Sequence, residues 1–76
     1  MKKVGFVLVS CCGWKLYEVS KQLKEIEGIG DVYNVFGEYD FICSLLGTTY
    51  ESVPDTVTKV RNIKGVADTK VSMVMR

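Results

Sequence analysis

The residues best placed to do chemistry in this sequence are a phenol and a carboxylate side by side, Tyr39-Asp40, just after Gly37-Glu38. Gly37-Glu38 fits a two-residue hairpin loop, because the first central position of such a turn needs a positive φ that glycine reaches without steric cost. In that register Phe36 faces Tyr39, and Val35 faces Asp40. A carboxylate at a hairpin mouth usually accepts backbone N–H bonds or pairs with a cation. With exposed amides around Gly37 it also suits the ammonium and carboxylate of a free amino acid. An acid–base pair is the competing reading, but no second catalytic group lies nearby in sequence. Thr69, early in the last predicted strand, adds a hydroxyl, although a β-branched strand residue needs no other reason to be there.

Other chemistries are narrowed by composition. The chain has no His, which removes Ser-His and Cys-His nucleophiles and His-rich metal sites. Cys11 and Cys12 are adjacent rather than spaced as Cys-x-x-Cys, and Cys43 falls inside a predicted strand. Reduced thiols behaving as small apolar residues are the expectation, with no metal and no cofactor. Three cysteines without a secretory signal do not make a disulfide framework. The net charge is +1 with Lys and Arg spread along the chain, so no basic stripe is present to grip nucleic acid directly. Trp14 and Tyr17 at the start of a helix read as edge packing rather than a stacking platform. No apolar run approaches the roughly 20 residues of a membrane helix, and a cytoplasmic protein with no membrane partner is expected.

These candidates must be held by elements that the hydrophobic pattern supplies. The 76 residues, 47% apolar and 25% charged, fit one domain spanning residues 1–76. Val4–Val9 reads as a strand apolar on both faces, with Val4, Phe6 and Leu8 on one and Val7 and Val9 on the other. Leu16, Val19, Leu23 and Ile26 then recur at helical spacing, and Gly28 stops that helix. Ile29–Phe36 and Tyr39–Leu46 are the strands of the hairpin, the second again apolar on nearly both faces. Ser52 reads as the N-cap of a second helix, with Pro54 in its first turn and the stripe Val53, Val57, Val60, Ile63. Gly65 ends it, and Val66–Met75 is the last strand.

An internal repeat lays Leu16 on Val53, Leu23 on Val60, Gly28 on Gly65 and Asp31 on Asp68. Two strand-helix-strand halves so related predict an α+β, ferredoxin-like βαββαβ sandwich. Its four-stranded antiparallel sheet has two helices on one face and the first and third strands at its centre. Those central strands are apolar toward the uncovered face as well. Self-association through that face is the expected way to bury it, as in dimeric α/β barrel arrangements.

The runs Glu25-Ile26-Glu27-Gly28-Ile29, Val35-Phe36-Gly37-Glu38-Tyr39-Asp40-Phe41 and Val60-Arg61-Asn62-Ile63-Lys64-Gly65-Val66 with Thr69 resemble the effector-binding (RAM) domain of the Lrp/AsnC transcriptional regulators. The resemblance covers essentially the whole chain. It implies dimers joined through their sheets, often rings of dimers, and a free amino acid or related metabolite bound between subunits. Carried residue by residue, it places Gly37, Glu38, Tyr39, Asp40 and Thr69 at the ligand. Phe36 and Val71 stand where the family commonly has polar residues, which narrows the pocket. The first strand begins at Lys3, where family members carry a helix-turn-helix, which implies a stand-alone effector domain. Such a module would modulate transcription by assembling with a DNA-binding Lrp/AsnC relative. A purely structural oligomerisation domain is the alternative, and a small ferredoxin-like enzyme a weaker one.

Overall fold

The computed structural model describes residues 2–75. Its elements run β1 (Lys2–Cys11), α1 (Leu16–Glu25), β2 (Ile29–Asn34), β3 (Phe41–Gly47), α2 (Val53–Arg61) and β4 (Val66–Met73), with short 3-10 turns before each helix. The sheet order is β2-β3-β1-β4, every neighbour antiparallel. This is the predicted βαββαβ sandwich with β1 and β3 at its centre. The apolarity of those strands suits the central places, where both edges are hydrogen-bonded to neighbours and the face under the helices is most completely covered.

Val7, Val9, Phe41, Cys43 and Leu45 project under the helices and meet Val19 and Leu23 of α1 and Val57 and Val60 of α2. Phe6 and Leu8 of β1 and Ile42 and Leu46 of β3 lie outside that core, half-buried on the uncovered face. Val4 departs from the expected alternation. A register shift between Lys3 and Gly5 inserts one extra residue in β1, and Val4 joins the buried set at 4% exposure.

Gly28 and Gly65 follow the two helices, at φ +100° and +104°. Both are also points of close approach. A Cβ on Gly28 would lie 2.6 Å from Thr56 Oγ1, and one on Gly65 would lie 2.9 Å from Lys15 Cβ. The internal repeat is therefore a repeat of packing: each helix ends on a glycine pressed against the partner half. At the start of α2 the expectation needs correction. Ser52 makes no side-chain cap; it closes a 3-10 turn whose own cap is Thr49, which accepts from the Glu51 N–H. Pro54 does sit in the first turn.

The hairpin is also wider than expected. β2 ends at Asn34 rather than Phe36, and β3 begins at Phe41 rather than Tyr39. The register is as predicted, since the Val35 N–H donates to the Asp40 carbonyl at 2.9 Å, but the tip beyond it is not a two-residue turn. Asp40 is bonded on both sides, its carbonyl to Val35 and its own N–H donating across to the Val9 carbonyl at 2.8 Å. The last predicted strand is likewise shorter, ending at Met73 rather than Met75.

Candidate functional site

One end of the sheet is assembled from five segments. The C-terminal end of β1 meets the start of β3 at Val9–Phe41 and the start of β4 at Cys11–Val66. The 35–40 hairpin tip and the end of α2 are delivered to the same end by their connections. All five predicted ligand residues, Gly37, Glu38, Tyr39, Asp40 and Thr69, therefore lie there.

Asp40 is the anchor of this end. Its Oδ2 accepts from the Cys11 N–H at 2.8 Å, so the carboxylate ties the hairpin to the last residue of β1. This is the backbone-capping role that a carboxylate at a hairpin mouth usually takes. Among the described residues no donor reaches its other oxygen. Gly37 and Glu38 are exposed, and a Cβ on Gly37 would meet nothing within 4 Å. Gly37 is needed for its backbone, at φ +131°, rather than for room. Tyr39 is half-buried, while Phe36 beside the tip is 105% exposed.

Thr69 stands across β1 from Asp40. It pairs with Val9 from the β4 side, whereas Asp40 bonds the same Val9 from the β3 side. Two strand spacings, about 10 Å, separate them, so within one subunit they do not form one pocket. Thr69 instead accepts a bond from Arg61 Nε at 2.8 Å. Arg61, Val66, Ala67, Asp68 and Thr69 line a groove of about 280 Å³ where the end of α2 meets the start of β4. Arg61 closes α2, and its role was not visible in the sequence because its partner lies across a glycine turn on another element. The only available signal was a cation in the last helical turn shortly before a strand hydroxyl.

A second groove, of about 370 Å³, lies at the far end of the sheet between Lys2, Lys3, Thr48, Thr49 and Tyr50. It contains none of the predicted residues. Lys3 there is paired with Asp31 at 3.2 Å, and the Tyr50 hydroxyl donates to the Val74 carbonyl at 2.7 Å.

Two of the three thiols are withdrawn from solvent, Cys43 fully and Cys11 in part. Burial, reinforced by the Asp40 carboxylate and then by Cys12, pushes Cys11 up to about 11. Burial and then Cys11 push Cys43 up to about 12. Both stay protonated at neutral pH and are poor nucleophiles. Cys12 is exposed, and among the described residues no group of three or more metal-ligating side chains forms.

Comparison with known proteins places this geometry. Residues 4–76 match the model of the Lrp/AsnC ligand binding domain. The chain is 34% identical over 59 residues to the HTH-type transcriptional regulator LysM of Sulfurisphaera tokodaii, covering 78% of this chain and 42% of that protein. It is 31% identical over 81 residues to the HTH-type transcriptional regulator Ptr1 of Methanocaldococcus jannaschii, covering 99% of this chain and 55% of that protein. The chain thus spans about half the length of these relatives. Among solved structures, TTHA0845 from Thermus thermophilus superposes with a TM-score of 0.91 at 25% identity, over 99% of this chain and 95% of that one. The transcriptional regulator NMB0573 from Neisseria meningitidis, in complex with L-Met, has the same fold, with a TM-score of 0.84 at 17% identity over 97% of this chain and 50% of that one.

Proposed function

Because the chain belongs to the Lrp/AsnC ligand-binding domain family, whose matched members are transcriptional regulators rather than enzymes, we propose that it is an amino-acid-responsive effector-binding and oligomerisation module. The family match over residues 4–76 carries this reading. The L-Met complex of a protein with the same fold supports an amino acid as the ligand class. The ligand lies between two copies at the hairpin end of the sheet, where Gly37, Glu38, Tyr39 and Asp40 of one copy meet Thr69 of the other. Asp40 offers its free oxygen to an ammonium, and the amides around Gly37 offer donors to a carboxylate.

Two copies join through the uncovered sheet face, burying Phe6, Leu8, Ile42 and Leu46, and further dimers close into rings. The module acts in the cytoplasm, with a DNA-binding Lrp/AsnC relative as its partner. Calorimetry across the free amino acids, with Asp40→Asn as control, tests the ligand. Binding that Asp40→Asn weakens is the expected result. No binding at millimolar concentration, or equal binding by the variant, removes the claim. Sedimentation at micromolar concentration tests assembly, and a clean monomer refutes the sheet-to-sheet dimer.

One observation favours a second reading, an oligomerisation domain that needs no effector. Asp40 and Thr69 are both engaged within the chain, by the Cys11 N–H and by Arg61. Assembly that proceeds without ligand, and is unchanged by every amino acid, selects that reading.

A further inference from the structure

The hairpin tip carries an apolar side chain that its own chain does not use. Phe36 is wholly exposed, and a Cβ on Gly37 beside it would meet nothing within 4 Å, so the tip stands clear of the body. Glu38, next along the tip, is exposed and forms no ion pair among the described residues. At the opposite end of the sheet, the groove of about 370 Å³ offers the complement. Its apolar lining is Val4, Tyr50 and Val74, and its charged lining is Lys2 and Lys3, with no carboxylate. Lys3 is paired with Asp31, which leaves Lys2 as a cation without a partner among the described residues. The walls are already fixed. The Tyr50 hydroxyl donates to the Val74 carbonyl at 2.7 Å, and the Val74 N–H donates to the Val4 carbonyl at 2.9 Å. Three further grooves each include a carboxylate, from Glu25 and Glu27, from Asp68, or from Glu27 and Asp55. Of these four, the lysine-lined groove is the one whose charge complements Glu38.

We propose that the Phe36 ring of one copy seats in the groove of Val4, Tyr50 and Val74 on a second copy, with the Glu38 carboxylate on Lys2. One chain cannot do this to itself. β1 runs from the groove to the tip, and its ten residues, at about 3.3 Å each, hold the two ends about 30 Å apart. Tip and groove are different surfaces, so the contact is heterologous. Every copy gives one tip and receives one, and the assembly grows head to tail until it closes into a ring or runs on as a filament. One aromatic ring and one ion pair make a small contact, well below the roughly 1,200 Å² of a stable interface, so a single pairing is weak. A sheet-to-sheet dimer presents two tips and two grooves, and it holds its neighbours more tightly than a monomer does. That strengthening rests on the oligomerisation reading above; the contact itself does not. It engages the Phe36 ring and the Glu38 carboxylate, which leaves the amides around Gly37 and the Asp40 side chain to the effector.

The test is sedimentation of the full chain from micromolar to millimolar concentration, in the wild type and in Leu8→Lys, which removes the sheet-to-sheet contact. The expected result is that both gain mass with concentration, the wild type starting from a dimer and Leu8→Lys from a monomer. Phe36→Ala weakens this growth about ten-fold or more, as loss of a buried aromatic side chain implies. Lys2→Glu abolishes it, because a carboxylate then faces Glu38. In the Leu8→Lys background neither variant grows alone, yet mixing Phe36→Ala with Lys2→Glu chains gives a pair and nothing larger, since one brings only a groove and the other only a tip. A carbodiimide should couple Glu38 to Lys2, and mass spectrometry of mixed ¹⁴N and ¹⁵N protein shows the link to be between chains. Phe36 and Lys2 are exposed, and unchanged thermal melting at micromolar concentration shows that the variants remain folded. No growth at millimolar concentration, or growth that survives both Phe36→Ala and Lys2→Glu, overturns the contact and leaves the sheet-to-sheet dimer standing. A wild type that is monomeric at micromolar concentration and assembles through Phe36 supports the contact and removes that dimer.

Discussion

Replacing Asp40 by alanine removes the acceptor of the Cys11 N–H, a 2.8 Å bond between two segments that are far apart in sequence. Hydrogen bonds to charged groups contribute roughly 1.5–3 kcal/mol, and the partly buried N–H left behind is not fully recovered by water. Asp40→Ala should therefore cost about 2 kcal/mol. Asp40→Asn keeps an oxygen in place and loses only the charge, so about 1 kcal/mol is expected. For a domain of this size, each kcal/mol moves the melting temperature by about 4–8 °C. Urea denaturation of the three proteins at one shared protein concentration measures the difference, the shared concentration being needed because self-association adds its own stabilisation. A second signature separates this bond from a general loosening. Asp40 is the second cause, after burial, of the raised Cys11 pKa, so in Asp40→Asn the Cys11 thiol should become more acidic and react faster with a disulfide reagent. If Asp40→Ala unfolds within about 0.5 kcal/mol of the wild type, a surface-like effect, Asp40 does not anchor the hairpin.

Leu8→Lys places an ammonium in the middle of the uncovered sheet face, opposite Ile42, and should yield a folded monomer by sedimentation; a retained dimer places the interface elsewhere. Because the folded state keeps Cys11 and Cys43 protonated, with pKa about 11 and about 12 against an ordinary 9.0, their contribution to stability is full below pH 9.0 and is lost as pH rises through those values. Thiol labelling near neutral pH should accordingly modify Cys12 alone until the protein is unfolded, and equal labelling of all three cysteines contradicts the burial. Phe36→Ser removes a side chain that touches little within the chain, so stability should stay within about 0.5 kcal/mol while the range of amino acids bound widens. A large loss of stability by denaturation would show that Phe36 packs where the structure leaves it exposed.

The elements were legible because each follows from a period or a punctuation residue. The stripe Leu16, Val19, Leu23, Ile26 and the repeat of Gly28 in Gly65 gave both helices and their ends. Apolarity on both faces gave β1 and β3 their central places. What the chain did not reveal were consequences of long-range hydrogen bonds. The Asp40 N–H bonds to Val9, far back in the sequence, while its carbonyl holds Val35. Val4 turns inward because β1 holds one residue more than its partner over that span, and no local propensity marks such a bulge. Thr69 looked like a free hydroxyl, yet it is bonded to Arg61 on the neighbouring helix. The residues of the candidate site were thus found by type and spacing, while their hydrogen-bond partners were not.

The separation of those residues decides how a ligand can use them. Asp40 and Thr69 bond or pair with the same residue, Val9, from opposite sides of β1, which puts about two strand spacings between them. A ligand with one end held at Thr69 does not reach Asp40 of the same subunit with that end. If both are needed, the hairpin must come from a second copy, and mixing of variants makes this measurable. In a site shared between subunits, a mixed assembly of Asp40→Asn and Thr69→Val chains contains one doubly altered site and one intact site. In a site confined to one subunit, every site carries a single lesion and mixing restores nothing. Calorimetry after unfolding and co-refolding equal amounts of the two variants should recover tight binding at about half the sites of each mixed dimer, which by random pairing are half of all dimers. Recovery to about a quarter of wild-type capacity is then the expected reading. No recovery, with each variant alone defective, would confine the site to a single subunit and require one of the two residues to act only through the fold.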